Sequence, residues 1–169
     1  MKRIIQLTFF LSFSFLLSCV NESEKEPEMP PNKALLESFE KANRYLTREE
    51  EENINDYVRR HKVEMKQTGT GMRYAILKEG TGAPVRRNEQ IHIKYETYYI
   101  TGDLVYTTEK KIIVGKGGIE SGLEEVILLM KRGDEAKIIL PSHLAFGFLG
   151  DQNKIPPRTT LVYKLKIIE

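Results

Sequence analysis

Residues 141–168 read Pro-Ser-His-Leu-Ala-Phe-Gly-Phe-Leu-Gly-Asp-Gln-Asn-Lys-Ile-Pro-Pro-Arg-Thr-Thr-Leu-Val-Tyr-Lys-Leu-Lys-Ile-Ile. Pro141 halts a strand predicted over Ala136 to Leu140, because proline cannot donate to a β ladder. Thr160 to Ile168 is long and rich in β-formers, and it predicts a closing strand. Between these strands, Ala145-Phe146-Gly147 and Ile155-Pro156-Pro157 mark the rim of a loop that the two prolines stiffen.

Just upstream, Gly122 to Lys131 is the only plausible helix in this body. Leu123, Val126, Ile127 and Met130 line one side of it, and Lys131-Arg132-Gly133 ends it with positive charge and a glycine. Further back the period falls to two. Gln90 to Ile100 puts Ile91, Ile93, Tyr95, Thr97 and Tyr99 on one face and His92, Lys94, Glu96 and Tyr98 on the other. Tyr74-Ala75-Ile76-Leu77 reads as a strand stopped by Gly80-Thr81-Gly82, and Leu104-Val105-Tyr106 and Ile112-Ile113-Val114 as two more. Gln67 to Gly71 reads as a polar link. Antiparallel strands around one short helix make an α+β fold.

Residues 33–66 have a helical pattern. Ala34, Leu35, Leu36 and Phe39 form one short amphipathic stretch. Thr47 predicts the start of a second helix, with Glu50 completing a capping box and Glu49 to Glu52 in the first turn. Arg59, Arg60, His61 and Lys62 close it, and Ile54, Tyr57 and Val58 share a face. This extension is a dimerisation arm, or else a helix packed on its own domain or solvated as a spacer; its sparse apolar faces disfavour the arm.

The amino terminus reads as an address. Lys2-Arg3 precedes an apolar run from Ile4 to Ser18, shorter than the ~20 residues that span a bilayer and laid out like a secretory signal. Leu16-Leu17-Ser18-Cys19 resembles the lipobox of bacterial lipoproteins, which implies diacylation and amino-terminal acylation of Cys19. Two or more chains anchor stably where one does not. Residues 20–32 are acidic and rich in proline, so they predict a solvated tether.

Composition limits the alternatives. The 169 residues carry 26 basic and 24 acidic side chains, and without Lys2 and Arg3 the balance is 24 to 24. A neutral body lacks the electrostatic footprint of a nucleic-acid binder. His61, His92 and His143 are dispersed and form no ligand spacing, and no metal or cofactor is implied. Cys19 is the only cysteine, so no internal disulfide can form.

The ordered set Gly115, Ile119, Gly122, Gly133, Ala136, Ala145-Phe146-Gly147, Ile155-Pro156-Pro157 and Thr160-Leu161-Val162-Tyr163 resembles the FKBP-type peptidyl-prolyl isomerases. Ile93-Lys94-Tyr95 and Val105-Tyr106-Thr107-Thr108 extend the likeness upstream, so that it covers about residues 68–169. Ser121-Gly122-Leu123, Pro141-Ser142-His143-Leu144 and the lipobox further resemble the gliding-motility-associated FKBP-type lipoproteins of Bacteroidetes. The resemblance implies an FKBP-like antiparallel sheet wrapped on one short helix behind a helical extension. The organisation is then a lipoprotein signal peptide over 1–18, a disordered tether over 19–32, the helical extension over 33–66 and the isomerase domain over 67–169.

It also implies a site. Tyr95, Val105, Ile112, Ile119, Leu123, Phe146 and Tyr163 would form an apolar cup with Leu123 as its floor. The Glu120 N–H would bond a substrate carbonyl, and Ile155 and Pro156 would shape the loop above. Three positions depart from the family. Tyr106 stands where relatives have aspartate, Phe146 lacks a hydroxyl, and Lys110 replaces a wall aromatic. These changes predict a cup with fewer polar side-chain contacts and weak or altered turnover. The expected function is isomerisation of exported proline-containing polypeptides at the cell envelope, by a protein lipid-anchored outside the cytoplasm, in the outer rather than the inner membrane. The alternative is a weakly active or inactive binding module or chaperone, in gliding-motility or secretion machinery. A homodimer through 33–66 is open but less favoured.

Overall fold

The computed structural model describes residues 32–168. The signal-like run, Cys19 and the tether as far as residue 31 lie outside the described residues. The chain falls into two compact units, residues 1–39 and 40–169. In the first, the described residues are the opening turns of helix α1, Lys33–His61. Asn32 Oδ1 accepts the Ala34 N–H at 3.1 Å, so asparagine caps the helix. Leu35, Leu36 and Phe39 are exposed.

The second unit holds the rest of α1 and a six-stranded sheet. Its strands are β1 (Lys66–Gln67), β2 (Arg73–Lys78), β3 (Gln90–Tyr99), β4 (Leu104–Ile113), β5 (Glu135–Leu140) and β6 (Leu161–Ile167). Helix α2, Ser121–Ile127, lies between β4 and β5 in sequence. The order across the sheet is β1-β2-β5-β6-β3-β4, and every neighbouring pair is antiparallel. The α+β architecture expected from the residue pattern is the one observed.

One face of the sheet carries the main core. Ile91, Ile93 and Tyr95 of β3, Ala136, Ile138 and Leu140 of β5, and Leu161, Tyr163, Leu165 and Ile167 of β6 cluster with Leu123, Val126 and Ile127 of α2. Gly122 is required at this contact, since a Cβ there would lie 2.4 Å from a Leu140 methyl carbon. The other face carries Ile139 and Val162, which face each other across the β5–β6 ladder. Ile54 and Tyr57 of α1 cover them.

Where the pattern predicts two short helices, the structure has one. Lys33–His61 contains neither glycine nor proline, so nothing interrupts the backbone ladder. Thr47 is therefore interior, and the predicted capping box does not form. Glu50 instead accepts the Ser142 N–H at 2.7 Å, and its carboxylate also takes the hydroxyls of Ser142 and Thr160. Beside it, the buried Arg73 pairs with Glu51 and donates to Asn55 at 3.1 Å and to the Gly71 carbonyl at 2.9 Å. The helix ends where Lys62 adopts φ 52° and returns its N–H to the Val58 carbonyl.

The link predicted over Gln67 to Gly71 begins instead in β1, a two-residue edge strand paired with β2. The two strands predicted at 104–106 and 112–114 are one, β4. Its middle, Thr107 to Lys111, is polar because β4 is an edge strand with one face in solvent. Edge lysines there also discourage pairing with another chain. Thr97 opposes Tyr106 while Tyr98 opposes Leu104, so Val105 is an extra residue in a bulge. The bulge lets both Val105 and Tyr106 pack against the core.

Docking of α1 on β5 and β6 sets a stability expectation. Ile54→Ala, at a side chain 1% exposed, should cost about 2–4 kcal/mol in urea unfolding of fragment 33–169. A cost well under 1 kcal/mol would mean that the helix does not contribute to the core.

Candidate functional site

The residues predicted to form a cup are scattered over β3, β4, β6, α2 and two loops, and the fold collects them. Tyr95, Val105, Ile112, Leu123, Ile155 and Tyr163 are buried in one cluster, with Tyr106, Ile119 and Phe146 half-buried against it. Their placement follows from the sheet. Tyr95 and Tyr163 come from neighbouring strands, with ring centroids 5.9 Å apart and planes tilted by 55°. Leu123, on the first turn of α2, is fully buried beneath them.

At the rim of this cluster is a cavity of about 410 Å³, lined by Tyr95, Lys110, Gly118, Ile119, Glu120, Ala145 and Phe146. Glu120 is the residue that precedes α2, with extended backbone at φ −61° and ψ 143°. Its N–H has no protein acceptor among the described residues. An open donor at a cavity lip, in front of a helix start, is positioned to meet a carbonyl oxygen. Leu123, Val105, Ile112 and Tyr163 lie deeper, behind the lining residues.

The rim loops are held by side chains that the sequence pattern does not single out. Asp151 Oδ1 accepts the N–H groups of Asn153 at 2.9 Å and Ile155 at 2.7 Å. Its other oxygen takes the Tyr106 hydroxyl. That bond chiefly raises the Tyr106 phenol above its ordinary pKa. Lys154 lies 5.0 Å above the Tyr106 ring. The loop over the cavity is thus tied to β4 through Tyr106. Gly150 makes the tight return possible: it sits at φ 66°, and a Cβ there would fall 2.1 Å from the Ile155 carbonyl oxygen. On the opposite rim, Glu124 accepts the N–H groups of Gly115 and Gly117, and Lys110 donates to the Gly118 carbonyl at 2.5 Å. A cue to the first anchor is present in the chain, since Asp151 and Asn153 follow glycine in a turn-prone run. No local cue pairs Asp151 with Tyr106, 45 residues away.

The cup is more polar than the three departures predict. Tyr163 is fully buried, yet its hydroxyl donates to Glu120 Oε1 at 3.0 Å. Burial first, and the Glu120 charge second, push this phenol far above the ordinary tyrosine pKa. The same two causes raise Tyr95 to about 12. The loss of a carboxylate at position 106 is therefore accompanied by two carboxylates from elsewhere, Asp151 on the Tyr106 hydroxyl and Glu120 on the Tyr163 hydroxyl.

The comparisons with known proteins give a family and a fold. Residues 82–168, just over half of the chain, match the family model described as FKBP-type peptidyl-prolyl cis-trans isomerase. The chain is 29% identical over 108 residues to a probable FKBP-type peptidyl-prolyl cis-trans isomerase, FkpA, of Neisseria meningitidis, a match over 62% of this chain and 40% of that protein. It is also 29% identical over 105 residues to the outer membrane protein MIP of Legionella longbeachae, over 59% of this chain and 44% of that protein. The chain thus spans less than half the length of these two relatives. Among solved structures, a peptidyl-prolyl cis-trans isomerase from Pseudomonas syringae superposes with a TM-score of 0.61 at 20% identity, over 73% of this chain and 94% of that one. At that identity the likeness is one of fold.

The two buried phenols set a pH expectation. A tyrosine whose folded pKa is raised contributes stability below its unfolded pKa of about 10 and loses it as pH climbs toward the folded value. Stability should therefore fall from pH 10 upward, through about pH 12 for Tyr95, by up to ~1.4 kcal/mol per pH unit for each phenol. Alkaline titration of phenolate absorbance checks this. Two tyrosines should ionise only as the fold is lost, whereas eight tyrosines titrating together near pH 10 would refute it.

Proposed function

The chain belongs to the FKBP-type peptidyl-prolyl cis-trans isomerase family, and on that footing we propose that its cup isomerises Xaa-Pro bonds in polypeptides exported to the cell envelope. The observation that carries this reading is the convergence of nine dispersed, sequence-predicted side chains on one cluster beside a cavity with an open N–H donor.

Rotation about an Xaa-Pro bond must cross about 18–20 kcal/mol and takes tens to hundreds of seconds unaided. The planar amide is stabilised by resonance, which puts negative charge on its oxygen. At the perpendicular midpoint that resonance is gone and the carbonyl is less polar. A cup lined by Tyr95, Ile119, Ala145 and Phe146 exchanges water for apolar contact, so it disfavours the planar amide more than the twisted one. The Glu120 N–H takes a neighbouring carbonyl and fixes the peptide while the bond turns. Catalysis by this route needs differential stabilisation and no nucleophile.

Lipid anchoring is part of the same reading. It rests on Lys2-Arg3, the apolar run and Leu16-Leu17-Ser18-Cys19, and a relative named as an outer membrane protein supports it. The narrower likeness to gliding-motility lipoproteins rests on Ser121-Gly122-Leu123 and Pro141-Ser142-His143-Leu144 together with Cys19. A second reading, a binding module with slow or no turnover, is favoured by Phe146 and Tyr106. It uses the same cup to hold a proline segment of a partner.

Exchange spectroscopy on Xaa-Pro peptides with fragment 33–169 separates the two. The isomerase reading expects exchange well above the buffer rate, falling about tenfold or more in Phe146→Ala, whose lost cup contact is worth at least ~1.4 kcal/mol. Binding without acceleration selects the module. For the anchor, full-length protein expressed in a diderm host should carry a lipid mass on Cys19 and partition with membranes. Cys19→Ser should release it to the soluble fraction, and an unmodified Cys19 rules the anchor out.

A further inference from the structure

The proposed isomerase cup contains a charge whose structural bond uses only half of it. Glu120 lines the cavity with Tyr95, Lys110, Gly118, Ile119, Ala145 and Phe146. Its Oε1 is held by the Tyr163 hydroxyl at 3.0 Å, and Tyr163 is fully buried in the core. The carboxylate is therefore fixed in place from behind. Its Oε2 has no donor among the described residues and is not sealed from solvent, on a residue that lines the cavity.

The charges around this oxygen are few. Lys110 lines the same cavity, but its ammonium donates to the Gly118 carbonyl at 2.5 Å rather than to Glu120. Glu124, the next acidic residue along the chain, is occupied with the Gly115 and Gly117 N–H groups on the rim loop. Both Tyr95 and Tyr163 feel the Glu120 charge, which raises both phenols after burial has done so. A held carboxylate in a hollow whose walls include Tyr95, Ile119, Ala145 and Phe146 attracts a cation that arrives with the substrate and displaces part of the surrounding water.

We propose that Glu120 is a specificity-determining residue of the cup, which selects polypeptides carrying lysine or arginine next to the proline. The apolar walls take the proline ring, and Oε2 takes the ammonium or guanidinium of the neighbouring residue. Arginine gains from two N–H groups aimed at a carboxylate, and lysine from a single charged donor. Because Tyr163 orients the carboxylate through its hydroxyl, the preference depends on a residue that never touches the cation.

This inference rests on the isomerase reading of the same cavity, and one experiment keeps the two apart. Isomerisation and binding are measured on fragment 33–169 with Xaa-Pro and Pro-Xaa peptides in which Xaa is Lys, Arg, Ala or Glu. Lysine and arginine peptides should exceed the glutamate peptide by about fivefold in one of the two series, the size of a partly screened ion pair. Added salt should shrink that ratio. Glu120→Gln, which preserves an acceptor for Tyr163, should bring the ratio close to one, and Tyr163→Phe should reduce it. Equal handling of all peptides in both series overturns the proposal while leaving the isomerase reading intact. So does a preference for glutamate, which would make Lys110 the deciding charge. A lysine preference that survives Glu120→Gln overturns it as well. Absence of both binding and exchange with every peptide overturns both readings.

Discussion

The two central strands of this sheet, β5 and β6, bury one face along their length and the Ile139–Val162 pair on the other, and the two helices answer that constraint. Ile138, Leu140, Leu161, Tyr163 and Leu165 point to one side, Ile139 and Val162 to the other, next to the Lys137–Lys164 and Glu135–Lys166 pairs. Both apolar surfaces must be covered. Helix α2 covers the first, where Leu123 is fully buried. The carboxyl-terminal half of α1 covers the other, and Glu50 and Arg73 join it to the loops that leave the sheet. The cup lies on the α2 side, so its walls are core residues first and lining residues second.

Building a site from core residues has a chemical consequence. A buried phenol needs a hydrogen-bond partner, and Tyr163 finds one only in Glu120 among carboxylates. A structural requirement of the core thereby places a negative charge at a hollow also lined by Tyr95, Lys110, Ile119, Ala145 and Phe146. Tyr106 follows the same logic at the rim, where its hydroxyl engages Asp151 and ties the proline-containing loop to the edge strand. In both cases the position of a carboxylate is set by a tyrosine on a strand, which is more rigid than the loop the carboxylate comes from.

The fold tolerates wide sequence change because the constraints that build it are coarse. At 20% identity the Pseudomonas syringae isomerase superposes over 94% of its length. In this chain the coarse constraints are the apolar surfaces of the sheet and the close approaches at Gly122 and Gly150.

Most of the fold was legible in the residues. Period two over Gln90–Ile100 and the stop at Pro141 follow from local chemistry, which is why their strands match the structure closely. The apolar stripe Leu123, Val126, Ile127 and Met130 predicts a helix to Lys131, but α2 ends at Ile127 and Met130 reaches the core from the turn that follows. The continuity of α1 and β4 was less legible. A polar stretch such as Thr107–Lys111 looks like a break until an edge strand gives it solvent on one face, and Thr47 looks like a cap until Glu50 finds Ser142, 92 residues away. That the dispersed apolar residues of the cup share one cluster could be read from the ordered motifs. Its charges could not. Local sequence determined which segments become strands and helix and which side chains are apolar enough to be buried together. Only the tertiary structure decided that Asp151 meets Tyr106 and that Glu120 meets Tyr163, because a hydrogen bond across 43 residues of chain depends on where the sheet brings its ends and leaves no periodic trace in the sequence.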